Sequence, residues 1–328
     1  MKTAPLSSLV SLLACISVLT GCGSSENGTG AYRIAVVPKG TMHEFWKSVH
    51  AGALQAGRDV GVEIVWKGSL REDDREEQLQ IVETFIASGV DALVLAPLDD
   101  RSLVAPVAGA KRAGIPTVVI DSALEGDDYI SFVATDNYRG GVLAAELVGR
   151  LLNGAGKVVV LRYQEGSASN SNRENGFLDT IRSKFPGIVI LSDNQYVGPT
   201  TETAFRGSEN MLNREGDIDA VFAPNEPVAF GCLRALQSTG RAGSVILVGF
   251  DASKKLVEAL ETGEVHGLVV QDPFRIGYLG VAAAVASLRG DRVEKRIDTG
   301  VVVATRENMH DPAIEKLLYF DPSKYLGE

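Results

Sequence analysis

Asp121-Ser122, Asn225-Glu226, Asp251 and Gln271-Asp272 each follow a short run of β-branched and other apolar residues, as do the longer segments Lys39 through Trp46 and Arg162 through Arg173. If those runs are strands of parallel sheets, all six segments lie beyond the carboxyl ends, where open α/β sheets bind their ligands. Together they offer carboxylates, amides, guanidinium groups and the adjacent aromatics Phe45 and Trp46. That is the chemistry of polyol recognition: hydroxyls that both donate and accept meet a fixed fan of Asp, Asn, Gln and Arg, while C–H faces pack on rings. Any one of these polar residues could equally be a helix N-cap or turn former, so the reading rests on their convergence.

Other chemistries lack their residues. His43, His50, His266 and His310 include no pair at metalloprotease spacing, and neither a G-x-S-x-G elbow nor a complete P-loop occurs. Gly154-Ala155-Gly156-Lys157 has a P-loop ending, but Leu151 stands where the first glycine belongs and a strand is expected next, so the stretch reads as a turn. No enzyme activity, cofactor or metal is therefore expected; a catalytic pairing of Asp121 with His43 is the minor alternative. A net charge of −10 without a lysine or arginine block argues against nucleic acid, because phosphate neutralisation supplies most of that affinity.

The elements that must position these groups follow one grammar. Arg33–Val37, Val62–Trp66, Asp91–Ala96 and Thr117–Asp121 read as strands, separated by amphipathic stretches Phe45–Val60, Arg75–Ser88 and Ser102–Ala113. The same alternation restarts at Lys157. Strands are expected at Val158–Leu161, Ile188–Ser192, Ala220–Ala223, Val245–Phe250 and Gly267–Val270, and helices at Asn172–Lys184, Thr201–Arg214, Val228–Ser238 and Lys254–Glu261. Strand, helix, strand is the pattern of a parallel sheet covered on both faces. The halves also resemble each other: the run from Gly89 to Pro97 leads through a helix and Gly114 to Asp121, and the run from Asp217 to Pro224 leads through a helix and Gly240 to Asp251. Two similar lobes imply a cleft between them.

The amino terminus reads as an export signal. Lys2 precedes an apolar run from Leu9 to Leu19, too short for a spanning helix and of the right length for a secretory core. Leu19-Thr20-Gly21-Cys22 resembles the bacterial lipobox, which implies cleavage after residue 21 and acylation of Cys22, placing the protein at a membrane surface in the periplasm or on the cell exterior. Residues 22–31 then form a tether with nothing to pack. The roughly 300 residues that remain suit two domains of about 150 each. Cys15 falls in the signal and Cys22 is the lipidation site, so Cys232 has no disulfide partner and reads as a small buried residue.

Several stretches carry a more specific likeness: Phe45-Trp46, Ile115 through Asp121, Thr135-Asp136-Asn137-Tyr138-Arg139-Gly140-Gly141, Arg173 through Phe177, Ala223-Pro224-Asn225-Glu226, Val248-Gly249-Phe250-Asp251 and Val270-Gln271-Asp272-Pro273. In order and spacing, from Tyr32 to about Thr305, the chain resembles the ribose-binding-protein branch of the type I periplasmic binding proteins. The resemblance implies two Rossmann-like lobes with parallel sheets joined by a three-strand hinge near Ala134–Thr135, Gln271–Asp272 and Thr299–Gly300. It implies lobes of 32–134 plus 272–299 and 135–271 plus 300–310, with residues 311–328 packing on them as a tail.

The same resemblance places an aromatic clamp on Phe45 and Trp46 and hydroxyl-binding groups on Asp121, Arg173, Asn225, Asp251 and Gln271. This chain departs from ribose binders at Ser122, where they carry Arg, and at His43, where Asn is usual, and the second-lobe aromatic that would stack on the sugar has no clear counterpart near Val197–Thr200. Lys39 either points into the cleft, favouring an acidic or phosphorylated ligand, or serves as a solvated rim or a partner for Asp121. The function implied is that of a monomeric solute-binding protein. It would close on a small polar ligand, most simply a monosaccharide or related polyol, and deliver it to an ABC permease. A receptor for a sensor kinase or chemoreceptor is the alternative. A repressor sharing the same core would need a helix-turn-helix where the signal and tether stand.

Overall fold

The computed structural model describes residues 31–327 together with Met1, so the reading of the signal peptide, Cys22 and the tether lies outside the described residues except at their ends. From Arg33 the elements are β1 (Arg33–Val37), α1 (Glu44–Val60), β2 (Glu63–Trp66), α2 (Arg75–Ala87), β3 (Ala92–Leu95), α3 (Val104–Arg112), β4 (Thr117–Ile120) and β5 (Ser131–Ala134). The second half contributes α4 (Asn137–Leu151), β6 (Ala155–Arg162), α5 (Ala168–Lys184), β7 (Gly187–Tyr196), α6 (Thr201–Glu215), β8 (Ala220–Phe222), α7 (Glu226–Ser238), β9 (Ile246–Phe250), α8 (Lys254–Thr262) and β10 (Gly267–Val270). Last come α9 (Pro273–Leu288), β11 (Arg296–Asp298), β12 (Val302–Ala304), α10 (Pro312–Leu318) and α11 (Ser323–Leu326).

Two six-stranded sheets result, ordered β11-β5-β4-β3-β1-β2 and β12-β10-β9-β8-β6-β7. Every pairing is parallel except β12 against β10. Alternate residues of one strand feed opposite faces: Ile34 and Val36 join one apolar cluster while Ala35 and Val37 join another, and Val158 and Val160 are likewise split from Val159 and Leu161. Burial on both faces explains why the strands read as continuous apolar runs rather than alternating ones.

The chain passes between sheets after β5, after β10 and after β11. At the first and third passages Thr135 Oγ1 lies 3.3 Å from Thr299 Oγ1 and donates to Gly300 O at 3.2 Å, tying two of the three connections together. After the second, α9 packs on α1 and the first sheet, while α4 packs on α5 and the second. Both helix pairs are brought to backbone contact by glycine: a Cβ on Gly52 would overlap the Phe274 carbonyl oxygen, and one on Gly141 would overlap that of Arg173.

Two local expectations are corrected. The sequence offered no helix between Ala134 and Lys157, yet α4 fills that interval; Asp136 caps it by accepting from Arg139 N, and its buried face runs from Gly140, Gly141, Ala144 and Ala145 to Leu147 and Val148. The turn expected at Gly154 to Lys157 is confined to Asn153 and Gly154, with φ of 51° and 80°, because Ala155 to Lys157 pair with Gly187 to Val189 as the start of β6. Beyond β12 the tail spans both halves: Ile314 and Leu318 join the second-sheet core, and the Arg58 guanidinium on α1 donates to Tyr325 O at 2.6 Å. Among the described residues no helix is long and apolar enough to cross a membrane.

Candidate functional site

Asp121 and Asp251 occupy equivalent places in the two halves. Each follows the last residue of its strand, β4 or β9, and each has a left-handed backbone, with φ of 61° and 69°. Asp tolerates that region better than most residues, though such conformations cost about 1–3 kcal/mol and cluster at functional sites. Each amide nitrogen donates to the neighbouring strand, Asp121 to Val133 O at 3.1 Å and Asp251 to Val269 O at 2.8 Å. The internal repeat seen in sequence thus ends in two carboxylates that face the same space.

That space is a cleft between the two sheets' carboxyl ends, and it gathers nearly all the expected residues. Lys39, His43, Phe45, Trp46, Asp121, Arg173, Asn225, Asp251 and Gln271 line it. Ser122 does not: its hydroxyl accepts a hydrogen bond from Ser169 N at 3.1 Å, which makes it a link between lobes rather than part of the wall. The free volume is about 30 Å³, and since one ordered water needs roughly 10–15 Å³, a sugar enters only as the lobes part.

Each wall residue is held by a specific partner. Buried Lys39 donates to Asp121 Oδ2 at 2.8 Å and to Ser169 Oγ at 2.9 Å, so its charge is spent across the cleft. Arg173 donates to Asn137 Oδ1 and Pro224 O, both at 2.8 Å, sits 3.8 Å from Asp251 Oδ2, and stacks 3.8 Å above the Phe250 ring. Gln271 Nε2 donates to Asp251 Oδ1 at 2.6 Å, while Asp251 Oδ2 accepts from Glu226 N at 3.2 Å. Asn225 caps α7 through Oδ1, which accepts from Val228 N at 3.2 Å and leaves its amide nitrogen as the group to offer a ligand. Phe45 and Trp46 meet edge to face at 4.9 Å.

Sequence reasoning missed Glu72 entirely. It lies between β2 and α2, a strand end that had been passed over because residues 67–74 show no apolar period. Its carboxylate accepts from Trp46 Nε1 and from Tyr163 OH, both at 2.5 Å, and so joins one lobe to the other. Asn170 and Glu226 also line the cleft, inside segments flagged at strand ends but not singled out. Two wall atoms are orphans: Asn170 Oδ1 and Gln271 Oε1 are buried acceptors with no donor. An unpaired buried acceptor costs about 1–3 kcal/mol, which a ligand hydroxyl in the cleft would recover.

The charges in the cleft bear on the alternative reading of Lys39. Lys39 is paired with Asp121 and Arg173 with Asp251, so among the lining residues no permanent cation is left free to favour an acidic or phosphorylated ligand. Burial, with Asp251 and Glu44 nearby, pushes the Glu226 carboxyl up to about 8. Burial also raises Asp251 despite Arg173, and raises Glu174 to about 7.

A carboxyl kept neutral by the fold but ionised in the unfolded chain stabilises most below the ordinary value of 4.5 and loses that contribution as pH climbs toward 8. Unfolding free energy should therefore fall from about pH 5 to about pH 8, by at most about 1.4 kcal/mol per pH unit per group. Glu226→Gln should flatten the slope in denaturant titrations, leaving the part due to Asp251 and Glu174. An unchanged slope in that variant would refute the assignment.

Two parallel sheets joined by three connections, with a polar cleft between their carboxyl ends, define the class of two-lobed binding proteins. Residues 34–292 match the periplasmic binding protein domain family, and the chain belongs to it. It is 31% identical over 306 residues to the D-ribose/D-allose-binding protein of Pseudomonas aeruginosa, covering 89% of this chain and 94% of that one. A carbohydrate-transporter solute-binding protein from Agrobacterium radiobacter, solved with D-arabinose, superposes with a TM-score of 0.85 at 33% identity, over 89% of this chain and 100% of the other. An ABC transporter solute-binding protein from Agrobacterium vitis, solved with D-fucose, gives a TM-score of 0.82 at 36% identity, over 88% and 100%.

Proposed function

We propose that this protein captures a neutral monosaccharide or related polyol between its lobes and delivers it, chemically unchanged, to an ABC permease. The observation that carries the reading is the pair of orphaned acceptors, Asn170 Oδ1 and Gln271 Oε1, in the same cleft as Asp121, Arg173, Asn225 and Asp251. Hydroxyls supply the missing donors; C–H faces meet Phe45. The sugars named with the relatives above support the same ligand class.

Opening and closing is a population shift between two arrangements, biased by the ligand's contacts with both lobes. The lobes we assign are 32–134 plus 272–299 and 135–271 plus 300–310, supported by sheet membership, with 311–328 as a tail. Export with acylation at Cys22, and action as a monomer, complete the proposal.

A thermal-shift screen of neutral pentoses, hexoses, polyols, sugar acids and sugar phosphates tests it. At a hundredfold excess over Kd, a specific ligand adds about 2.7 kcal/mol of stability. A neutral sugar should produce that shift and its phosphate should not. A panel in which only acids or phosphates stabilise would overturn the assignment.

A further inference from the structure

A second cavity of about 730 Å³ lies against the first, and Phe45, Asp251 and Gln271 belong to both walls. Its sides are the first turn of α1, one face of α8 along its length and the chain passage at Val270 to Pro273, and its cover is the tail from Lys316 to Leu326. The cover is fixed on both lobes. Tyr319 OH donates to Glu261 Oε1 on α8 at 2.5 Å, while the Phe320 and Tyr325 rings lie 5.3 and 5.1 Å from Phe274 on α9.

The volume falls within the roughly 300–1,000 Å³ of ordinary ligand sites, whereas the adjoining cleft keeps about 30 Å³. Its lining sets six carboxylates, Asp251, Asp272 and Asp321 among them, against the three lysines Lys47, Lys254 and Lys316, and adds aromatic faces. Hydroxyls of a neutral ring can donate to such a wall, whereas an anionic group is repelled by it. Gln271, whose orphaned Oε1 touches no protein donor, stands in the partition between the two spaces.

We propose that this chamber is a second subsite and that the preferred ligand is a neutral glycoside: a terminal sugar ring in the cleft between Asp121 and Asp251, and a second ring or other glycosidic substituent under the tail. The proposal rests on sugar binding at the cleft and extends it. Monosaccharides bind, but leave the larger space to water.

The test is calorimetry on the exported chain with neutral monosaccharides and with disaccharides and phenyl glycosides carrying the same terminal ring. The best glycoside should bind at least about tenfold more tightly than its parent sugar. Ala252→Trp, which puts bulk into the chamber, and removal of residues 320–328, which takes away its cover, should each bring that ratio close to one while the monosaccharide affinity stays within about twofold. A wild-type ratio of one or below, or a ratio that neither variant changes, overturns the subsite while leaving sugar capture intact. Failure of every sugar, free or glycosidic, overturns both.

Discussion

Asp251→Asn is expected to weaken binding of the cognate sugar ten- to a hundredfold, about 1.4–2.7 kcal/mol, without unfolding the protein. Asn also tolerates the left-handed backbone at this position, where φ is 69°, so the turn after β9 survives. What is lost is the charge that holds Gln271 Nε2 at 2.6 Å and lies beside Arg173. An amide can present its oxygen to only one of them in the same geometry, so the fan of donors loosens. Burial already holds the Asp251 carboxyl above its ordinary value, which offsets part of the cost of leaving Arg173 without its counter-charge, so the stability loss at neutral pH should be smaller than that of Arg173→Met. Calorimetry paired with thermal unfolding checks both halves, and wild-type affinity in this variant would remove Asp251 from the site.

Arg173→Met should have the larger consequence for the fold. The guanidinium is buried, feeds Asn137 Oδ1 and Pro224 O, faces Asp251 and stacks on Phe250. Methionine keeps much of the apolar volume but strands two acceptors and a carboxylate, and breaking a buried pair this way costs about 3–5 kcal/mol. Sugar affinity should fall more than about a hundredfold, since the wall that carries Asp251 and Asn225 loses its brace. Arg173→Lys should not rescue, because an ammonium can neither fork to two acceptors nor stack as a plane. Part of the Arg173→Met stability loss should return in acid, where Asp251 takes up a proton. A destabilisation below about 1 kcal/mol would contradict the account.

Much of this site was legible before the coordinates, for a physical reason. Parallel sheets send every strand end to one side, so Asp121, Asn225, Asp251 and Gln271 could be located from apolar runs alone, and the repeat linking Asp121 to Asp251 marked them as equivalent. Glu72 escaped because nothing periodic precedes it and its value lies in partners more than ninety residues away in sequence, such as Tyr163. Helix α4 escaped because the first half of its buried face is glycine and alanine, and the larger Leu147 and Val148 come only toward its end. The return of α9 to the first sheet came only from resemblance, since no local pattern tells a helix which sheet it will cover. Ser122 was expected to contact the ligand, but it does not line the cleft, and its hydroxyl accepts from Ser169 N instead. The chamber under the tail had no signature at all, being formed where α1, the stretch from α8 to Pro273 and the tail come together from distant parts of the chain.

The most direct test of the central claim is a crystal structure with the sugar that stabilises the protein most in the thermal screen. The account predicts that sugar between Asp121 and Asp251, with hydroxyls donating to the now-unpaired Asn170 Oδ1 and Gln271 Oε1. A sugar bound outside the interlobe cleft, or one inside it that leaves both acceptors unpaired, would contradict it.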